Sequence, residues 1–156
     1  MHTANEIQSG AQSDRKRIVD LLARASLAEL QDALATIDPV PVFTALRGPE
    51  TGLLMVKGRI GGGGAPFNLG EATVSRASVR LADGRIGHGY RLGTDRKAAN
   101  LSAVLDALAQ EETTRVALES RLLAPLEARL ASEAEQLEAE TAATKVDFFT
   151  MVRGED

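Results

Sequence analysis

The 156-residue chain contains no cysteine and no tryptophan, two histidines, and five aromatic side chains in all. Without cysteine there are no disulfides, thiolate nucleophiles, iron–sulfur ligands or thiolate zinc sites. The two imidazoles, one of them at His2 beside the chain start, argue against a self-contained histidine metal site. No apolar run approaches the roughly 20 residues of a membrane span, and Met-His-Thr-Ala-Asn-Glu lacks the apolar stretch of a secretory signal. A soluble cytoplasmic protein is expected. What remains is 44% hydrophobic, enough for a core in a single domain over 1–156. With aromatics so scarce, that core has to come from Leu, Ala, Val and Ile.

Charge is distributed unevenly. Residues 1–50 carry 5 basic and 7 acidic side chains, residues 51–110 carry 8 and 4, and residues 111–156 carry 5 and 11. A basic middle between acidic flanks suits an anion-facing or partner-facing patch, or a surface whose halves neutralise each other.

The pattern predicts an α+β fold in four stretches. Residues 1–45 are helical: from Ser13, Ile18, Leu21, Leu22 and Ala25 form one stripe and Leu27, Leu30, Leu34 and Ile37 the next. Ser26 and Glu29 are spaced as a capping box, so a second helix starts there, and Pro39 and Pro41 end the pair. Residues 46–93 read as antiparallel strands, within a zone that holds 12 of the 14 glycines. Asp83-Gly84 signals a two-residue hairpin turn. That turn would pair Val79 with His88, Ala77 with Tyr90 and Arg76 with Arg91. One face would then carry Ala77, Val79, Leu81, Ile86, His88 and Tyr90, and the other Arg76, Arg80, Arg85 and Arg91. Residues 94–144 return to helix, capped at Asp95, with Ala98, Leu101, Leu105 and Leu108 on a stripe. Pro125 divides the Glu-rich helical stretch that follows. Its glutamates, Glu111, Glu112, Glu133, Glu135, Glu138 and Glu140, read as a solvated or partner-facing surface.

Residues 145–156 are too apolar for a free tail. Val146, Phe148, Phe149, Met151 and Val152 would each gain about 1.5–3 kcal/mol on burial. The expectation is a docking tail, with Phe148, Phe149, Met151, Val152 and Arg153 as partner contacts.

Few residues suggest chemistry. Arg76, Arg80 and Arg91 form a candidate surface for anion or partner contact. Its alternatives are pairing with the acidic C-terminal third, phosphate binding, or a solvated face. Gly61-Gly62-Gly63-Gly64 could present backbone N–H groups to an anion. No Lys-Ser or Lys-Thr follows it, so it is no P-loop, and a turn or connection between strands explains it better. His88 alternates with Ile86 and Tyr90, which suits a core or interface histidine better than a general base.

From Pro49 onward the chain resembles the PhnG family of the bacterial carbon–phosphorus lyase core complex. The resemblance rests on Glu50-Thr51-Gly52, Arg59 with the run to Gly64, and Phe67 with Gly70-Glu71-Ala72-Thr73. It continues through Arg76, Val79-Arg80-Leu81, Asp83-Gly84 and Asp106-Ala107-Leu108, and closes on Val146-Asp147-Phe148-Phe149-Thr150-Met151-Val152-Arg153-Gly154. It implies an obligate subunit of a transferase in phosphonate catabolism, assembled with PhnH, PhnI and PhnJ. With PhnH, PhnI and PhnL it would serve the displacement of adenine from ATP by methylphosphonate, giving α-D-ribose 1-methylphosphonate 5-triphosphate. PhnI would be the primary partner, and the iron–sulfur cluster and S-adenosylmethionine would belong to PhnJ. This chain would bind no cofactor and catalyse nothing alone, and the family supplies no catalytic residue to carry over. The competing reading is an autonomous nucleotide- or polyphosphate-binding module. Between the two lies a direct contact of Arg76, Arg80 or Arg91 with the substrate's triphosphate.

Overall fold

The computed structural model describes residues 3–39, 41–60 and 63–144, and side chains from residue 12. The architecture is α+β: helices α1 (Thr3–Leu22) and α2 (Leu27–Ala35), strands β1 (Phe43–Gly58), β2 (Phe67–Leu81) and β3 (Ile86–Leu92), then α3 (Arg96–Leu108), α4 (Glu112–Leu118) and α5 (Ala124–Ala143). The sheet is antiparallel in the order β1-β2-β3. Helix α1 starts at Thr3, well before the Ser13 expected from the apolar stripe.

Local signals placed the helix starts. The Ser26 hydroxyl accepts from the Glu29 amide at 3.2 Å, and the Glu29 carboxylate accepts from the Ser26 amide at 2.7 Å, closing the capping box. Asp95 caps α3 by accepting from the Ala98 amide at 2.9 Å. The last stretch is two helices, as Pro125 predicts: α5 begins at Ala124 with the proline in its first turn, and a π-helical turn at Glu119–Leu123 joins it to α4.

The core is aliphatic. Leu22, Leu30, Val79, Val104, Leu105, Leu123 and Leu126 are buried, with Phe43 packed at the edge. Helix α3 lies at its centre, against one side of the sheet, and buries nine of its thirteen residues. Among the described residues, no helix covers the other side of the sheet.

The β2–β3 hairpin departs from the expected register by one residue. The loop has three residues, Ala82-Asp83-Gly84. The Leu81 amide donates to Arg85 O at 2.9 Å, and the Gly84 amide donates to Leu81 O at 3.0 Å. Gly84 has φ +95°, the left-handed position such a loop requires. Val79 consequently faces Gly87, Ala77 faces Gly89, Arg76 faces Tyr90, and Ser75 faces Arg91. The cause is the approach of α3. A Cβ at Gly87 would lie 1.9 Å from Ala103 O, and one at Gly89 would lie 1.9 Å from Ala99 O. Only glycine permits the backbone of β3 to meet the Ala99–Ala103–Ala107 stripe, so the glycines face inward and His88 and Tyr90 face out.

Candidate partner-binding surface

The register correction divides the three arginines. Arg76 and Arg80 are exposed on the side of the sheet away from α3, whereas Arg91 belongs to the helix side, opposite the buried Ser75. Arg91 Nη2 donates to Ala25 O at 3.0 Å, while its Nε and Nη1 are buried without a partner among the described residues. It is a tie between β3 and the α1–α2 turn, not a member of an anion cradle. Among the described residues Arg76 is paired with Glu50 rather than with the acidic C-terminal third. Glu50, its neighbour across β1, accepts from Arg76 Nε at 2.7 Å and lies 3.1 Å from Arg47 Nε. Arg76 faces Tyr90 rather than Arg91, so the two arginines are not opposed across the strands. Arg80 stands opposite Thr44 and Ile86. His88 is not a core histidine: it is exposed, with Nδ1 2.9 Å from Ser78 Oγ.

The C-terminal glutamates find other cations. Arg17 on α1 binds Glu119 at 2.8 Å and Glu127 at 2.5 Å, and their hydrogen bonds raise its basicity and hold the Glu127 carboxyl below its usual range. Arg129 on α5 binds Glu133 at 2.7 Å and Glu29 at 3.2 Å. Burial alone would raise the Glu29 pKa, but hydrogen bonds from Ser26 and the Arg129 guanidinium outweigh it and lower it. These pairs lace α1 and α2 to the C-terminal helices.

Asp106 is the one buried carboxylate of the described residues. It accepts from Arg15 Nε at 3.1 Å, Arg15 Nη2 at 2.8 Å and the His88 amide at 2.8 Å. Gln110 donates to Ile86 O at 2.7 Å. Side chains thus take the place of a neighbouring strand along β3, closing one edge of the sheet.

The opposite end of the sheet is uncovered among the described residues. Beyond the Val74–Leu92 pair, β1 and β2 run on as a two-stranded ribbon. Leu53, Leu54, Met55, Val56, Phe67 and Leu69 are all exposed there, Leu53 and Leu69 at 66%. Sequence reasoning missed this surface. The signal was the unbroken apolar run Leu53–Val56, which suits a strand covered on both sides rather than one. The tip glycines Gly63 and Gly64 lie in a turn, while Gly61 and Gly62 fall outside the described residues. So does the tail with Phe148, Phe149, Met151, Val152 and Arg153. Among the described residues, no group of three His, Asp or Glu side chains is placed to hold a metal ion, and no helix is long and apolar enough to cross a membrane.

A small α+β protein that keeps a packed aliphatic core under one side of its sheet, and leaves an apolar ribbon outside it, belongs to the class completed by association with another chain. Comparison with known proteins makes this particular. The model of the phosphonate metabolism protein PhnG family matches residues 13–154, and the chain belongs to that family. It is 53% identical, across all 156 of its residues and 99% of the relative's length, to a protein of Rhizobium meliloti (strain 1021). That relative is named alpha-D-ribose 1-methylphosphonate 5-triphosphate synthase subunit PhnG.

Proposed function

We propose that this chain is a non-autonomous subunit of the cytoplasmic synthase that makes α-D-ribose 1-methylphosphonate 5-triphosphate, within the carbon–phosphorus lyase core complex. In that reaction a methylphosphonate oxygen bonds to the ribose C1 of ATP as the bond from C1 to adenine breaks. The observation that carries the reading is 53% identity over the full length to a protein named as a subunit of that synthase. The geometry supports it, because the described side chains offer surface for assembly rather than a converging nucleophile, base and oxyanion site. PhnI is the primary partner, with PhnH and PhnL completing the synthase and PhnJ carrying the later radical chemistry. The chain's own contribution is to dock, by its apolar tail among other surfaces, and to stabilise the partner's active site. It binds no cofactor by itself.

Deleting residues 145–156 and co-expressing the remainder with PhnI tests this. Co-purification and synthase activity should both fall sharply, and unchanged values would refute tail docking. The chain purified alone should show no ATP-dependent rise in melting temperature. A rise would favour the autonomous nucleotide binder instead.

A further inference from the structure

Strand alternation separates the ribbon's two sides. The register break between Val56 and Lys57 gives β2 an extra residue, and an added Cβ at Gly58 would lie 3.6 Å from the Phe67 ring and 3.8 Å from Leu69 Cβ. Leu54, Val56, Phe67 and Leu69 therefore share one face with Gly52, Gly70 and Ala72, while Leu53 and Met55 share the other with Thr73 and Glu71. Both faces are exposed. The first is bulky. It also keeps a shallow trough, since a Cβ at Gly52 or Gly70 would meet nothing within 4 Å. Resting on a flat surface would cover one face and leave the other in water. Covering both requires a cleft, with walls on either side. The tip adds a second constraint. Lys57 and Arg59 are exposed there, and neither is in an ion pair among the described residues, although most of the other arginines have a carboxylate nearby.

We infer that the ribbon inserts into an apolar cleft of a different subunit, whose inner wall projects side chains into the Gly52–Gly70–Ala72 trough and whose far end offers carboxylates to Lys57 and Arg59. The inference rests on the assembly role proposed above and specifies how the assembly is made. A second copy of this chain is disfavoured by charge, since two such ribbons laid tip to tip would oppose cations to cations.

The test compares binding of the purified full-length chain to PhnI with binding of three variants. Gly70→Val fills the trough at a position where an added Cβ meets nothing within 4 Å. Leu53→Ser alters the opposite face. Lys57→Glu combined with Arg59→Glu reverses the tip. Each should leave the melting temperature of the isolated chain within a few degrees yet weaken PhnI binding at least tenfold, the tip variant also altering the salt dependence. Wild-type binding retained by Gly70→Val, or an effect confined to one face, would overturn the cleft while leaving the assembly role intact. A homodimer of the isolated chain that Gly70→Val makes monomeric, with PhnI binding unchanged, would assign the ribbon to a second copy and overturn the inference. Failure of the unaltered chain to bind PhnI would defeat the proposed partnership itself.

Discussion

Replacing Gly87 with alanine places a methyl carbon 1.9 Å from Ala103 O, 2.5 Å from Ala107 N and 2.8 Å from Ala107 Cβ. Ordinary contact begins near 3.4 Å, so strand and helix must part by about 1.5 Å along that line. Two of the three obstructing atoms belong to the helix backbone, which has no rotamer to yield. Helix α3 also carries Val104 and Leu105 into the centre of the core, so moving it loosens packing well away from the substitution. Overpacking typically costs 1–3 kcal/mol, and backbone against backbone belongs at the upper end, about 3 kcal/mol. Gly89→Ala meets Ala99 O at the same 1.9 Å and should cost a similar amount. One retreat of α3 relieves both clashes, so the double variant should fall short of the sum by about 1 kcal/mol or more. Gly70→Ala, open on all sides, should stay within about 0.5 kcal/mol. Urea unfolding reads these differences as midpoint shifts at constant slope. A cost below about 1 kcal/mol for Gly87→Ala would refute the claim that helix approach sets the hairpin register. So would a Gly70→Ala cost equal to it.

Asp106→Ala should destabilise by about 2 kcal/mol, less than a fully buried pair would, because Arg15 is 44% exposed and can turn to water. The sharper readout is hydrogen exchange at the His88 amide, which loses its acceptor. Unchanged protection there would exclude Asp106 as the cap of the β3 edge. Glu29 predicts a pH effect. Its folded pKa is lowered from 4.5, so its contribution to stability is complete above that value and fades as pH falls through the lower folded one. Wild type should exceed Glu29→Gln by under about 1 kcal/mol at neutral pH, and their melting temperatures should converge below pH 4.5. A gap that widens on acidification would show the sign to be wrong.

Some of this molecule was legible residue by residue. Ser26 with Glu29, and Asp95 before Arg96, act on amides two or three positions away, so their capping needs no knowledge of the fold. The stripes Ile18–Leu21–Leu22 and Leu30–Leu34 likewise follow from helical period. The Pro125 boundary was half legible, since a proline marks a break but cannot reveal that a π-helical turn carries the chain across it. The arginine face was misread for a different reason. Alternation alone favours the register that gathers large apolar residues on one side. Nothing local announces that Gly87 and Gly89 are small because a helix 10 to 20 residues further along presses against them.

Composition and spacing by themselves determined the fold class, the aliphatic core, the helix starts and the absence of thiol chemistry, because each depends on residue type or on neighbours a turn away. Tertiary structure alone decided that Arg91 points inward while Arg76 meets Glu50, and that the apolar run at Leu53–Val56 has no cover within the described chain. Those outcomes depend on how closely α3 can approach β3 and on where the sheet outruns its helices, distances set by the packing of whole elements rather than by any one residue.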